Sequence, residues 1–165
     1  LQKLSIQQAM EQITIRKARK EDMETLLRFE QGVINAERPF DVTIKQQDTH
    51  YYNLSLLIES DDSELVVAEV DNQLIASGYA RIENSKLFFK HAQHAYLGFM
   101  YTVPEYRGRG VNAMILEALK NWSRSKHITE LHLEVYVDNL PAIKAYEKMG
   151  FVKNLIEMRL GLEEE

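Results

Sequence analysis

The chain has 165 residues, 45% hydrophobic and 27% charged, the composition of one compact domain able to bury a sizeable core. Lys and Arg number 20 against 25 Asp and Glu, a formal charge of −5, which argues against nucleic acid or an anionic membrane surface as partner and weakly favours a cationic one. The lack of Cys excludes disulfides, thiolate zinc sites and a thiol nucleophile; no apolar run nears the roughly 20 residues of a spanning helix, and Leu1 to Glu11 has neither signal nor transit character, so a cytoplasmic location is expected.

Ile13, Ile15 and Ala18 predict a first strand, and Met23, Leu26, Leu27, Val33 and Ile34 recur at helical spacing behind the acidic start Glu21-Asp22. Arg38-Pro39-Phe40-Asp41 ends that helix, because Pro disfavours helical geometry in the residue before it. A shorter helix is expected from His50 to Glu59, and the β-branched run Leu65 to Val70 reads as a buried strand. Asp71-Asn72-Gln73 predicts a hairpin turn into Leu74 to Ile82, with Gly78 marking a bulge or a close approach.

Lys86 to His94 reads as a loop, and Ala95 to Val103 as a fourth strand stopped by Pro104. Val111, Ile115, Ala118, Leu119 and Trp122 predict a helix, and the alternation Leu131, Leu133, Val135, Val137 a fifth strand. Asn139-Leu140-Pro141 opens a last helix closed by Gly150, after which Phe151 to Leu162 is expected to complete the sheet. The result is an α/β (α+β mixed) domain spanning 1–165, with its core at about 13–162 and a mixed sheet.

The most informative segment is Val103-Pro104-Glu105-Tyr106-Arg107-Gly108-Arg109-Gly110-Val111-Asn112, a strand, a glycine-rich turn and a helix start. Such a turn gathers unpaired N–H groups at the positive end of a helix, which suits phosphate, and Arg107 and Arg109 add charge beside it. The plainer alternative is a turn whose glycines only permit positive φ. No Gly-Lys-Ser/Thr follows and no third glycine completes a dinucleotide fingerprint, which disfavours nucleoside triphosphates and NAD.

Arg107 to Asn112 resembles the Arg/Gln-x-x-Gly-x-Gly/Ala signature of the Gcn5-related N-acetyltransferase superfamily, with Asn112 at the position usually held by Gly or Ala. The run Asn139 to Phe151 is similar to that family's second hallmark, Asn-x-x-Ala-x-x-x-Tyr-x-x-x-Gly-Phe, and the likeness also reaches Ile13 to Phe29. The resemblance implies a twisted, mostly antiparallel sheet with splayed fourth and fifth strands and acetyl-CoA as co-substrate. The main chain of Met100, Tyr101, Thr102 and Val103 would then meet the pantetheine arm, and Arg107, Gly108, Arg109, Gly110, Val111 and Asn112 would hold the pyrophosphate. Asn139 and Ala142 would border the pantetheine, and Tyr146 would sit near the thioester sulfur as general acid.

The base is less defined. The fourth strand has no carboxylate, Glu134 is the nearest substitute, and Tyr101, His94 and Glu105 are weaker options. The implied activity is transfer of acetyl to a primary amine of a small molecule or a protein N-terminus by direct attack in a ternary complex. A catalytically idle CoA-binding sensor or assembly domain is the alternative, and O-acetylation of a hydroxyl is a third reading. A homodimer is common among proteins the chain resembles. His91-x-x-His94 and His132-Leu133-Glu134 lack a third ligand at recognisable spacing, so no metal is expected. Tyr51-Tyr52 and Phe88-Phe89 read as packing or acceptor-pocket walls, and the acceptor region from Arg38 to Ser60 carries no diagnostic pattern.

Overall fold

A computed structural model of the chain describes residues 12–163, so the segment read for targeting signals lies outside the described residues. Strands β1 (Thr14–Lys17), β2 (Ser63–Val70), β3 (Gln73–Asn84), β4 (Gln93–Thr102) and β5 (Leu131–Leu133) form one sheet in that order. The pairs are antiparallel except for the parallel β4–β5 pair. The helices are α1 (Met23–Glu37), α2 (Leu54–Glu59), α3 (Val111–Ser125) and α4 (Leu140–Lys148). Among the described residues no helix is long and apolar enough to cross a membrane.

The β2–β3 hairpin turns through Asp71 and Asn72, both at positive φ (48° and 62°), a geometry whose twist matches that of the flanking strands. β2 is apolar from Leu65 to Ala68 because both its faces are covered there. Val66, Ala68 and Val70 pack towards α3, while Leu65 and Val67 pack towards α1 and α2. From α3, Val111, Ile115, Leu116 and Leu119 are fully buried, each worth about 1.5–3 kcal/mol of transfer free energy. Gly78 is a close-approach site: a Cβ there would stand 2.6 Å from Ile115 Cγ2 and 2.7 Å from Met100 Sδ.

Arg16 pins β1 to the start of α1. Its guanidinium donates to both carboxylate oxygens of Asp22 (2.8 and 2.9 Å), and its Nη2 donates to Glu69 on β2 (2.7 Å). Hydrogen bonds from Arg16 hold the Asp22 carboxyl below its ordinary range. Arg16→Met should therefore cost about 2 kcal/mol near neutral pH, because two partly buried carboxylates lose their cation. A carboxyl with a depressed folded pKa contributes stability above its unfolded value, near 3.9, and loses it as pH falls through the folded one. Denaturation of wild type and variant should accordingly differ at pH 7 and converge as the pH drops below about 4.

Three expectations are corrected. α2 begins at Leu54, not His50, because the Asn53 side chain accepts from Leu56 N (3.1 Å) and caps the helix, while 50–52 is bound elsewhere. β5 stops at Leu133 rather than Val137, since beyond it the chain leaves β4. Phe151 to Leu162 forms no strand. Its apolar alternation has no ladder partner among the described residues, and Val152, Leu155, Ile156, Met158, Leu160 and Leu162 are exposed. The segment returns to the body through Arg159, whose Nη2 donates to Asp41 Oδ2 (2.8 Å).

Candidate functional site

β4 passes from paired to unpaired halfway along its length. Ala95, Tyr96 and Leu97 lie opposite Leu131, His132 and Leu133. Phe99 then takes a φ of 56°, and the register skips so that Phe99 and Met100 together face Gly78, a bulge that bends the strand. The buried Ser77 hydroxyl donates to Phe99 O (3.0 Å) and fixes the bulge. From Gly98 to Thr102 the edge of β4 that faced β5 has no ladder partner among the described residues, because β5 ends at Leu133. β4 thus runs on without its parallel neighbour, and the gap so left is the V. Backbone amides along such an edge need partners, and an extended chain that itself carries amides supplies them.

At the mouth of the V, β4 ends in the 3₁₀ turn Pro104–Tyr106 and runs through the glycine loop into α3. Gly108 (φ 73°) and Gly110 (φ 79°) are left-handed, and Gly110 is the N-cap of α3. The first N–H groups of α3 have no partner within the helix, and among the described residues no atom beyond the adjacent ones stands within 4 Å of where a Cβ on either glycine would be. Arg107 Nε donates to Thr102 O (3.0 Å), which ties the loop to the end of β4, and Arg109 lies over the Tyr106 ring at 4.9 Å. Val111 is buried and anchors the first turn, while Asn112 is half-buried beside it. The segments 100–103 and 107–112 thus form one continuous surface.

α4 flanks the same region. The Asn139 side-chain oxygen accepts from Ala142 N (3.4 Å) and caps the helix, which leaves its amide nitrogen as a donor. Tyr146 packs against the same cluster as Met100, Val103 and Tyr106. Burial, with a smaller contribution from Glu37, pushes its hydroxyl up to about 12, so Tyr146 holds its proton at neutral pH.

A second group of side chains, partly from the stretch whose sequence carried no pattern, gathers near Tyr146. Glu37, at the end of α1, has its carboxyl raised by burial and takes a hydrogen bond from the Tyr51 hydroxyl. Its charge also reaches the hydroxyls of Tyr136 and Tyr146. Tyr136, just beyond β5, stacks on Phe40 (ring centroids 5.9 Å) and donates to Asp41 Oδ2 (3.4 Å). Tyr51 and Tyr52 are held in place by Glu30, a fully buried carboxylate that accepts from Tyr51 N (2.7 Å), Tyr52 N (2.9 Å) and His50 Nδ1 (2.9 Å).

Glu134 is exposed beyond the end of β5 and accepts a hydrogen bond from the Tyr96 hydroxyl, whose own pKa burial raises. Tyr101 turns onto α1, its ring 4.9 Å from that of Phe29 and against Gly32. His94 stands at the start of β4, against Ser85 and His132, away from the V. Glu37 and Tyr136 were missed by sequence reasoning, and no short motif marks either. Their role comes from packing α1 against the segment after β5.

A bulged strand with an open edge, and a glycine loop feeding a helix beside it, suits an extended, amide-bearing ligand that ends in phosphate. Residues 21–151 match the model of the Acetyltransferase (GNAT) family, and the chain belongs to it. It is 28% identical over 145 residues to an N-alpha-acetyltransferase of Saccharolobus solfataricus, covering 85% of this chain and 80% of the relative. Among solved structures it resembles a predicted acetyltransferase with acetyl-CoA from Clostridium acetobutylicum (TM-score 0.71, 21% identity, 92% and 97% of the two chains). An aminoglycoside 6'-N-acetyltransferase from Acinetobacter haemolyticus shares the fold at TM-score 0.69 and 16% identity, over 92% and 99% of the two chains. The protein is an acetyl-CoA-dependent N-acetyltransferase with an amine acceptor, and the idle-binder alternative gives way to an enzyme.

Proposed function

We propose that the chain acetylates an α-amino group at a polypeptide N-terminus, by direct attack in a ternary complex. The observation that carries this reading is the cluster of Glu37, Tyr51, Tyr136 and Tyr146 beside the V, a carboxylate among aromatic rings that matches an ammonium with an apolar neighbour. Proton chemistry supports the α-amine: it loses its proton near pH 7.7–8.0, against about 10.4 for a lysine, so a carboxylate need assist less. The relative in Saccharolobus solfataricus is an N-alpha-acetyltransferase, which points the same way.

Acetyl-CoA, when bound, supplies the thioester carbon that the amine attacks. The unpaired edge of Met100 to Val103 pairs with its pantetheine arm, and amides of Gly108 to Asn112, with Arg107 and Arg109 beside them, hold the pyrophosphate. Asn139 and Ala142 line the arm from the α4 side. An N–H of the Met100–Tyr101 stretch stabilises the negative charge that builds on the carbonyl oxygen, a contribution of about 3 kcal/mol.

Glu37 is the better base and Glu134 the second, because the Glu37 charge reaches Tyr146 while Glu134 is exposed and engaged by Tyr96. Tyr146 donates a hydrogen bond to the departing sulfur. With its hydroxyl at about 12 and an ordinary thiol near 8.5, full transfer to the sulfur would run uphill by about 5 kcal/mol, so Tyr146 stabilises the thiolate without yielding its proton.

The test is steady-state acetyl transfer to N-terminal peptides, with polyamines and amino sugars as competing acceptors. Tyr146→Phe should lower kcat by about 10–100-fold while acetyl-CoA affinity stays within about twofold, as expected for a hydrogen bond made chiefly in the transition state. Glu37→Gln should flatten the rise of kcat/KM with pH, whereas Glu134→Gln should leave it in place. Preferred turnover of the small amines would overturn the acceptor assignment, and a flattened profile in Glu134→Gln alone would move the base there.

A further inference from the structure

The geometry points to a zinc site formed by His91, His94 and His132 at the end of the sheet opposite the glycine loop. The sequence separates these residues into a loop pair and a lone strand histidine. Folding joins them, because the parallel pairing sets Tyr96 opposite His132 and so brings the start of β4, with His94 on it, beside β5. One ring nitrogen from each imidazole lies within 4.8 Å of the other two. Nitrogens at 2.0–2.1 Å from a tetrahedral zinc stand about 3.3 Å apart, so the rings need close by only about 1.5 Å, a matter of side-chain torsion.

The surroundings of the three rings fit a ligand. His91 Nε2 is buried with no hydrogen-bond partner, a condition that costs roughly 1–3 kcal/mol unless something binds there. Its ring is held by stacking on Phe89 (centroids 5.3 Å, 9° between planes). The Ser85 hydroxyl meets His94 Nδ1 at 2.8 Å, the orienting contact that metal-binding histidines take on the nitrogen away from the ion, and this leaves Nε2 as the ligand atom. Glu83 Oε2 lies 3.5 Å from His94 Nε2, and Glu130 Oε1 lies 3.8 Å from His132 Nε2. Both carboxylates stand where a dication's charge would be offset.

Three neutral imidazoles and no sulfur select a borderline divalent ion, and a fourth position left to water or to Glu83 completes a tetrahedron. The site is separate from acetyl transfer: His94 and Tyr101 are seven residues apart on β4, about 23 Å at 3.3 Å per residue. A bound ion would clasp the 85–92 loop to β5, the three-residue edge strand on which the V depends.

The test uses the full, untagged chain freed of metal with a chelator, titrated with Zn²⁺ against a chromophoric competitor, and with Co²⁺ as a spectroscopic probe. One zinc per chain and the visible bands of tetrahedral cobalt are expected, together with a raised Tm. His91→Ala, in the loop and harmless to the strands, and His94→Gln should each weaken zinc by about 100-fold and abolish the cobalt bands. His127→Asn, outside the cluster, should change neither. The proposal is overturned if no stoichiometric zinc binds, or if zinc binds equally well to the His91 and His94 variants.

Discussion

Gly110→Glu should weaken acetyl-CoA binding by roughly 100-fold while the protein stays folded. Gly110 caps α3 at a φ of 79°, so a side chain there costs about 1–2 kcal/mol in backbone strain, but nothing stands within 4 Å to collide with it. The added carboxylate would face the pyrophosphate. Two unit charges about 5 Å apart at an effective dielectric near 20 repel by about 3 kcal/mol, a loss of roughly 100-fold in affinity. Calorimetric titration with acetyl-CoA checks the value, and Gly110→Asn separates charge from strain, since Asn tolerates the left-handed conformation. The Asn variant should bind within about tenfold of wild type; equal losses in both would mean that the loop's shape, and not its charge, governs the site.

The second large effect is expected at Glu30, which contributes nothing to the chemistry directly. Glu30→Ala leaves Tyr51 N, Tyr52 N and His50 Nδ1 without their acceptor and should destabilise the fold by about 3–5 kcal/mol, a third or more of a typical domain's margin. Glu30→Gln keeps one oxygen and should cost about half as much. Because Glu30 fixes the backbone of Tyr51, and Tyr51 in turn donates to Glu37, the acceptor KM should rise in the Gln variant while acetyl-CoA affinity stays unchanged. Urea denaturation reads the first effect and two-substrate kinetics the second. An unchanged acceptor KM would detach the 50–52 segment from acceptor binding.

The glycine loop and the helix start at Asn139, where the cofactor is proposed to bind, were legible in the sequence because they depend on backbone geometry, which particular residues enforce. Gly108 and Gly110 are needed for positive φ, Pro104 for the strand's end, and Asn139 with Pro141 for a helix start, and each leaves a local mark. The acceptor side was not, since Glu37, Tyr51 and Tyr136 converge from three distant segments and owe their chemistry to burial rather than spacing. His132 was weighed apart from the His91–His94 pair for the same reason: those residues are 41 and 38 positions away in the chain and adjacent to it only through the β4–β5 pair. The last predicted strand failed differently. Alternation in Phe151 to Leu162 reports the capacity to pair, but pairing needs an edge, and β5 presents only three residues. Gly78 had two readings, bulge or close approach, and both meet at one place: the bulge is on β4 opposite it, and Gly78 makes room for Ile115 and Met100.

The strand order, identical to the order in the chain, bears on how the molecule assembles. β2, β3 and β4 form a meander of antiparallel hairpins that close over short connections, whereas β1 reaches β2 across residues 18–62 and β5 joins β4 only after the chain has passed through α3 and returned parallel. With three residue pairs, against four or more in every other pair, β4–β5 is the least securely zipped seam of the sheet. On the proposed placement of acetyl-CoA, a co-substrate that occupies only the finished V would add its binding free energy to this weak seam, so resistance to local opening there would rise with the acetyl-CoA concentration.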